Sequence, residues 1–101
     1  MRSNKRIGAK VDTNQGDIVK QLRTLPGVEV DVGHDDIIVG WNGKNFWYEI
    51  KNEDEVSRKT GGIKPSALTH TESNLLTYWT GHYKVVWTFE QIVEDMGYGV
   101  S

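Results

Sequence analysis

The stretch DIIVGWNGKNFWYEIK, residues 36–51, contains two apolar runs that are separated by Asn42 and Gly43. An Asn-Gly pair between two such runs is the strongest short-range signal for a β-hairpin, because a two-residue type I′ turn requires positive φ at both central residues. The stretch therefore predicts two antiparallel strands, 36–41 and 44–51, that are joined by a tight turn.

This turn fixes which residues face each other across the hairpin. A two-residue loop pairs Trp41 with Lys44. Five steps further from the turn, Asp36 is then opposite Glu49. Directly opposed residues share a face of the sheet, and like charges there are destabilising. A divalent cation bound by carboxylate oxygens would supply the compensating charge.

Alternation along the strands separates an apolar face from a charged face. The apolar face carries Ile37, Val39, Phe46, Tyr48 and Ile50, and the charged face carries Asp36, Trp47, Glu49 and Lys51. Two acids beside a lysine resemble a hydrolytic metal site, in which the cation polarises a phosphate and the lysine orients water or stabilises negative charge. The alternative is that Asp36 lies in solvent and Glu49 pairs with Lys51 across an exposed face.

Helical and alternating patterns on either side of the hairpin predict the other elements. Helices are predicted after the capping pairs Asp12/Gln15, Thr69/Glu72 and Thr88/Gln91, and strands at residues 28–32 and 83–87. Trp79 and Trp87 are predicted to lie in the core. The order helix, three strands, helix, strand, helix predicts an α/β or α+β domain with a small mixed sheet.

Length and composition predict one domain over residues 1–101. The chain has no cysteine, so a metal would need oxygen or imidazole ligands. Because no apolar run approaches the roughly 18 residues of a membrane span and no secretory signal is evident, we expect a soluble, cytoplasmic protein without a membrane partner.

The formal charge of −2 argues against a protein held to nucleic acid by bulk electrostatics. Basic residues are nevertheless clustered in an arm over residues 1–10 and in a Gly/Lys-rich loop, 52–66, that is expected to be mobile. The arm contains Arg2, Lys5, Arg6 and Lys10, and the loop contains Arg58, Lys59 and Lys64. Beside an acidic metal site, these residues would hold the DNA backbone; otherwise the arm is a solvated tail.

At its acids and lysine the sequence resembles the PD-(D/E)XK nuclease superfamily. Glu49-Ile50-Lys51 matches its E-x-K motif, and Asp36 matches the acid one strand earlier. More closely, the chain is similar to small phage-type nucleases related to VRR-NUC domains and Holliday junction resolvases. The similar segments are KVDTNQGDIVKQLR (10–23), GHDDIIVGWNGKNFWYEIKN (33–52), KPSALTHTESNLLTYWTG (64–81) and VVWTFEQIVEDMG (85–97).

This resemblance implies a restriction-endonuclease-like αβββαβ core. It also implies Mg²⁺, for which Mn²⁺ can substitute, held by Asp36, Glu49 and the carbonyl of Ile50, with Lys51 as the catalytic lysine. The implied activity is endonucleolytic hydrolysis of DNA, with branched DNA such as Holliday junctions as substrate, in a phage or prophage protein. A junction presents two symmetry-related strands, which a C₂ homodimer would suit.

Two positions depart from the family pattern. Asp35 replaces the proline that usually precedes the first acid, so Asp35 is an alternative to Asp36 as that acid, although the register favours Asp36. Gln15 replaces a glutamate that many relatives carry on the first helix. Gln15 lies on the inward stripe of that helix, so it is either a helix cap or a neutral ligand to a metal-bound water.

Other functions and site residues are also open. A nicking, flap or duplex endonuclease would use the same residues, whereas Gln15 favours a DNA-binding module with little catalysis. A structural interaction protein would leave the opposed acids unexplained. His34, His70 and His82 are candidates for proton transfer, but surface or cap roles are favoured for all three.

Overall fold

A computed structural model describes the backbone of residues 9–99 and the side chains of residues 14–99. The helices are α1 (Ala9–Leu22), α2 (His70–Tyr78) and α3 (Phe89–Met96), and the strands are β1 (Glu29–Val32), β2 (Asp36–Trp41), β3 (Lys44–Ile50) and β4 (Lys84–Val86). Their order is the predicted one. The molecule is a small α+β domain, and no helix in its described part is long and apolar enough to cross a membrane.

The four strands form one mixed sheet in the order β1-β2-β3-β4. The first three strands are antiparallel neighbours, while β4 runs parallel to β3 and is reached through α2. The turn has φ of 55° at Asn42 and 77° at Gly43, as a type I′ turn requires. Asp36 is opposite Glu49, so the predicted register is confirmed.

The apolar core lies between one face of the sheet and two helices. Its buried residues are Ile18, Val19, Leu22, Val28, Ile37, Val39, Phe46, Tyr48, Ile50, Val86, Ile92 and Met96. Ten of these residues come from α1, α3 and the predicted apolar face of the hairpin, while Val28 directly precedes β1 and Val86 belongs to β4. Helix α2 lies instead over the charged face of β3, where Glu72 contacts Lys51 and Trp79 contacts Trp47.

Helix α1 begins earlier than predicted. Its described part starts at Ala9, so Asp12 lies inside the helix and is not its N-cap. Ala9, Lys10 and Val11, which precede Asp12 in the helix, are good or moderate helix formers, so the helix does not have to begin at Asp12. Lys10 therefore belongs to α1 rather than to an arm, and Arg2, Lys5 and Arg6 lie outside the described residues.

The capping boxes of α2 and α3 are confirmed. The side chain of Thr69 accepts a hydrogen bond from the backbone of Glu72, and that of Thr88 accepts one from Gln91. Trp79, however, follows the last residue of α2 and is 53% exposed, so the prediction that it lies in the core is wrong. The reason is that α2 covers the charged face of the sheet and not the apolar one.

The segment 52–66 has local structure that the sequence did not predict. It contains the 3₁₀ turn Glu53–Glu55 and the start of a second, Pro65–Ala67. A single antiparallel bridge joins Val56 to Ile63. Arg58 and Lys59 are exposed between the two bridge residues, and the Lys64 ammonium donates to the carbonyl of Asp54 at 3.3 Å.

Candidate active site

The candidate site lies on the charged face of the sheet, where β2 begins and β3 ends. The Asp36 carboxylate accepts a hydrogen bond from the indole Nε1 of Trp47 through Oδ2, at 2.8 Å. Its Oδ1 lies against Gly33, where an added Cβ would overlap this oxygen. The residue at position 33 therefore has to be glycine for Asp36 to keep this conformation.

Two neighbouring carboxamides of α1 connect the strands that carry the acids. Gln15 is buried, and its Nε2 donates to the backbone carbonyls of Asp36 at 3.1 Å and Gly33 at 3.4 Å. The Asn14 amide donates to the backbone carbonyl of Lys51 at 2.6 Å and to that of Trp87 at 3.3 Å. Helix α1 thus fixes the start of β2 and the end of β3 together.

These contacts exclude one of the two interpretations of Gln15, its role as a helix cap. Because Gln15 lies inside α1 and its amide binds backbone carbonyls near Asp36, the prediction that it caps the helix is wrong. Its role as a neutral ligand to a metal-bound water stays a prediction. Asn14 was not expected at the site, since nothing in its local pattern distinguishes it from a solvent-facing helix residue.

Glu49 is the most unusual acid of the site. It is only 7% exposed, and its Oε2 has no hydrogen-bond partner among the described residues. Burial, followed by the negative charge of Glu72, raises the pKa of Glu49 to about 8. With this pKa, Glu49 is largely protonated at neutral pH, and binding of a cation to its carboxylate would release that proton. The oxygen that lacks a partner is available to such a ligand.

Lys51 pairs with a residue that the sequence indicated only as part of a helix cap. Its ammonium is 2.9 Å from Oε1 of Glu72, and the side chains of Lys51 and Glu72 are 10% and 11% exposed. The alternative in which Glu49 pairs with Lys51 across an exposed face is therefore wrong. No local pattern relates position 72 to position 51, so only the fold could reveal the contact.

The ion pair keeps both partners charged. Burial would lower the pKa of Lys51, but the hydrogen bond and negative charge of Glu72 outweigh it and raise that pKa above its usual value. Burial would likewise raise the pKa of Glu72, but hydrogen bonds from the backbone of Thr69 and from Lys51 hold it below its usual value. Lys51 is thus a permanent cation at the site.

Tyr83 is a further residue that the sequence did not single out. Its hydroxyl is buried and has no hydrogen-bond partner within the described part of the chain. Burial, together with the charges of Glu49, Glu72 and Asp36, raises the pKa of Tyr83. The phenol therefore stays protonated among the acids, with its ring 4.8 Å from that of Trp47.

The histidines take different positions. His34 is exposed and lies 3.1 Å from Asp35, and His70 is exposed at the first residue of α2, as expected for surface roles. His82 is neither a cap nor a free surface residue. Its Nδ1 accepts from the backbone of Trp47 at 3.0 Å, and its Nε2 is 2.7 Å from Asp95.

The residues of the site fit a hard divalent cation. Mg²⁺ commonly uses one or two protein carboxylates and completes its octahedron with other oxygens and water. Asp36 and Glu49 lie on the same face of the sheet and provide two carboxylates. Oε2 of Glu49 has no hydrogen-bond partner among the described residues, so it is available to a cation. No three His, Cys, Asp or Glu side chains of the described residues form a metal-binding group, so the expected set depends on two carboxylates and the carbonyl of Ile50.

Comparisons with protein-family models, with curated proteins and with solved structures found no match for this chain.

Proposed function

We propose that the protein is a metal-dependent endonuclease that hydrolyses DNA phosphodiester bonds on a PD-(D/E)XK-type core. One observation carries this proposal. Asp36 and Glu49 are paired on adjacent strands beside the buried Lys51 ammonium, and the carboxylate of Glu49 has an oxygen with no partner in the described chain. An unsatisfied buried acid in a native fold calls for an explanation, and a bound cation provides one.

The chain's own residues take distinct roles in this proposal. Asp36, Glu49 and the backbone carbonyl of Ile50 would hold Mg²⁺ or Mn²⁺, which supplies Lewis-acid polarisation of the phosphate and lowers the pKa of water. Lys51 stabilises the negative charge that develops on the phosphate. Because the pKa of Lys51 is raised, it acts as a cation and not as a general base.

DNA is the proposed substrate because the chain carries exposed cations close in sequence to the site. Arg58 and Lys59 are exposed in the segment that follows Lys51. Branched DNA, including four-way junctions, is the substrate class that we propose first, and a homodimer would place two sites on its two symmetric strands.

The test is a cleavage assay with labelled four-way junction, flap, duplex and single-stranded DNA, with and without Mg²⁺ or Mn²⁺. We expect metal-dependent cutting that Lys51→Ala reduces by about 100-fold or more. Lys44→Ala is the matched control, since Lys44 is the exposed first residue of β3, the strand that Lys51 directly follows. Circular dichroism should show that both variants are folded.

Each result of this assay has a definite meaning. Equal cutting by Lys51→Ala would remove Lys51 from the mechanism. Equal rates on duplex and junction would refute the preference for branched DNA but retain the nuclease. Absence of cutting of all four substrates with either metal would refute the proposed activity.

A second candidate is a DNA-binding module with little catalysis. It is favoured by the engagement of Lys51 with Glu72 and by the neutral Gln15 close to Asp36. Such a module would bind junction DNA in a gel-shift assay at protein concentrations that release no product.

A further inference from the structure

Glu72 is held in place independently of the lysine that it binds. Its Oε1 accepts a hydrogen bond from the backbone N–H of Thr69 at 3.0 Å, and its own N–H donates to the Thr69 hydroxyl at 3.1 Å. The same Oε1 lies 2.9 Å from the Lys51 ammonium. The capping box therefore holds the Glu72 carboxylate in place independently of its contact with the Lys51 ammonium.

A capping role alone does not explain where this side chain lies. Glutamates at this helix position are ordinarily solvated, yet Glu72 is buried and faces Lys51 on the charged side of the sheet. Its contact with Lys51 also has a consequence for Glu49. Lys51 is attracted by both acids, but it bonds to Glu72, and Oε2 of Glu49 has no hydrogen-bond partner among the described residues.

We propose that Glu72 is a positioning residue that holds the Lys51 ammonium away from Glu49, so that the Glu49 carboxylate stays available to a divalent cation. This inference rests on the proposed function for its link to catalysis, but its central claim concerns cation binding alone. Without the charge of Glu72, the ammonium would pair with Glu49 and compete with the metal for the same oxygen.

The variant Glu72→Gln isolates the charge of Glu72 from its capping role. Glutamine also satisfies a capping box, so the helix start is retained while the anionic partner of Lys51 is lost. The matched control is Glu55→Gln. Glu55 resembles Glu72 in two respects. Its carboxylate accepts a hydrogen bond from a backbone N–H three residues earlier, that of Asn52 at 2.9 Å, and its charge also acts on Lys51. Unlike Glu72, Glu55 is not paired with the Lys51 ammonium.

The first measurement is calorimetric titration of the full chain with Mn²⁺, without DNA. We expect Glu72→Gln to weaken Mn²⁺ binding about tenfold, and Glu55→Gln to change it less than twofold. The double variant Glu72→Gln/Lys51→Met should regain most of this affinity, because the competing ammonium is gone. Unchanged Mn²⁺ affinity in Glu72→Gln, or no recovery in the double variant, would overturn the proposal and leave Glu72 as a helix cap.

The second measurement separates this inference from the proposed activity. At saturating Mn²⁺, we expect Glu72→Gln to lower kcat on junction DNA about tenfold with less than a twofold change in KM. The reason is that the substitution displaces Lys51 but leaves the proposed DNA-binding surface unchanged. If the Mn²⁺ pattern is as expected but the unmodified protein cuts no DNA, the positioning role stands and the nuclease proposal fails. If the unmodified protein cuts DNA but Glu72→Gln has unchanged kcat, the catalytic part of the positioning role fails.

Discussion

At the scale of single residues, Glu49 is the group whose surroundings are least explained by folding. Its buried Oε2 has no hydrogen-bond partner among the described residues, and an unsatisfied buried polar group usually costs about 1–3 kcal/mol of stability. Sites that bind ligands commonly retain such unfavourable groups, because the ligand supplies the missing interaction. The cost of Glu49 in the metal-free chain is therefore a measurable property of the proposed site.

We expect Glu49→Gln to raise the free energy of unfolding by about 1–3 kcal/mol in EDTA at pH 9. The pKa of Glu49 is raised from 4.5 to about 8. The folded protein therefore carries the buried charge mainly at pH values above about 8, and the gain in stability from Glu49→Gln is largest there. Urea unfolding measures the change, and the same variant should lose Mn²⁺ binding. Glu29→Gln on β1 is an exposed control that should change stability by less than about 0.5 kcal/mol. A less stable Glu49→Gln would show that the carboxylate makes a favourable contact inside the fold.

At the scale of secondary-structure elements, Asp95 connects α3 to β3 and to the start of β4. Its carboxylate accepts from the Tyr48 hydroxyl at 2.6 Å, is 2.7 Å from Nε2 of His82, and accepts from the Lys84 ammonium at 3.2 Å. Burial opposes ionisation of Asp95, but these three hydrogen bonds outweigh it and hold the pKa of Asp95 below its usual 3.8.

This network makes stability depend on pH in the acid range. The unfolded chain binds a proton at Asp95 near pH 3.8, whereas the folded chain does so only at lower pH. The contribution of Asp95 is therefore fully present above pH 3.8 and is lost as the pH falls through its folded-state value. We expect Asp95→Asn to lower the free energy of unfolding at pH 7 by about 1–3 kcal/mol and to reduce its fall below pH 4.

Urea unfolding at pH 7 and at pH 3 measures both effects of Asp95→Asn. Glu94→Gln is the control, because Glu94 is the exposed neighbour on the same helix and should leave the acid dependence unchanged. If Asp95→Asn kept the full acid dependence of the unmodified protein, other carboxylates would be responsible for it.

At the scale of the whole molecule, the chain is slightly acidic, and the proposed DNA contact depends on where its cations lie. Arg2, Lys5 and Arg6 precede Ala9, the first described residue of α1, so a deletion of residues 1–7 removes none of the described helix. Each lysine or arginine that neutralises a phosphate contributes about 0.9 to the slope of log affinity against log salt on duplex DNA.

We expect deletion of residues 1–7 to reduce that slope by up to about 3, because three cations are removed. Fluorescence anisotropy with labelled junction DNA at several salt concentrations measures the slope. A full-length chain in which Arg2, Lys5 and Arg6 are replaced by Gln is the control that separates charge from chain length, and it should match the deletion. An unchanged slope in both would mean that these residues do not contact DNA.

Much of the fold follows from local rules that operate within a few residues. The Asn-Gly pair requires a tight turn, the turn sets the register, and the register places Asp36 opposite Glu49. The capping boxes of α2 and α3 likewise act over three residues, and both were predictable. The start of α1 was not, because Asp12 fits a cap by its residue type although the helix continues before it.

The composition of the candidate site depended instead on contacts between residues far apart in the chain. Lys51 meets Glu72 because the crossover through α2 returns over the charged face of the sheet, and Tyr83 reaches the acids because β4 runs beside β3. Asn14 contacts Trp87 across 73 positions. Periodicity and capping describe single elements and contain no information on which elements become neighbours, so the chain's local patterns located two acids and a lysine, and packing added the residues that surround them.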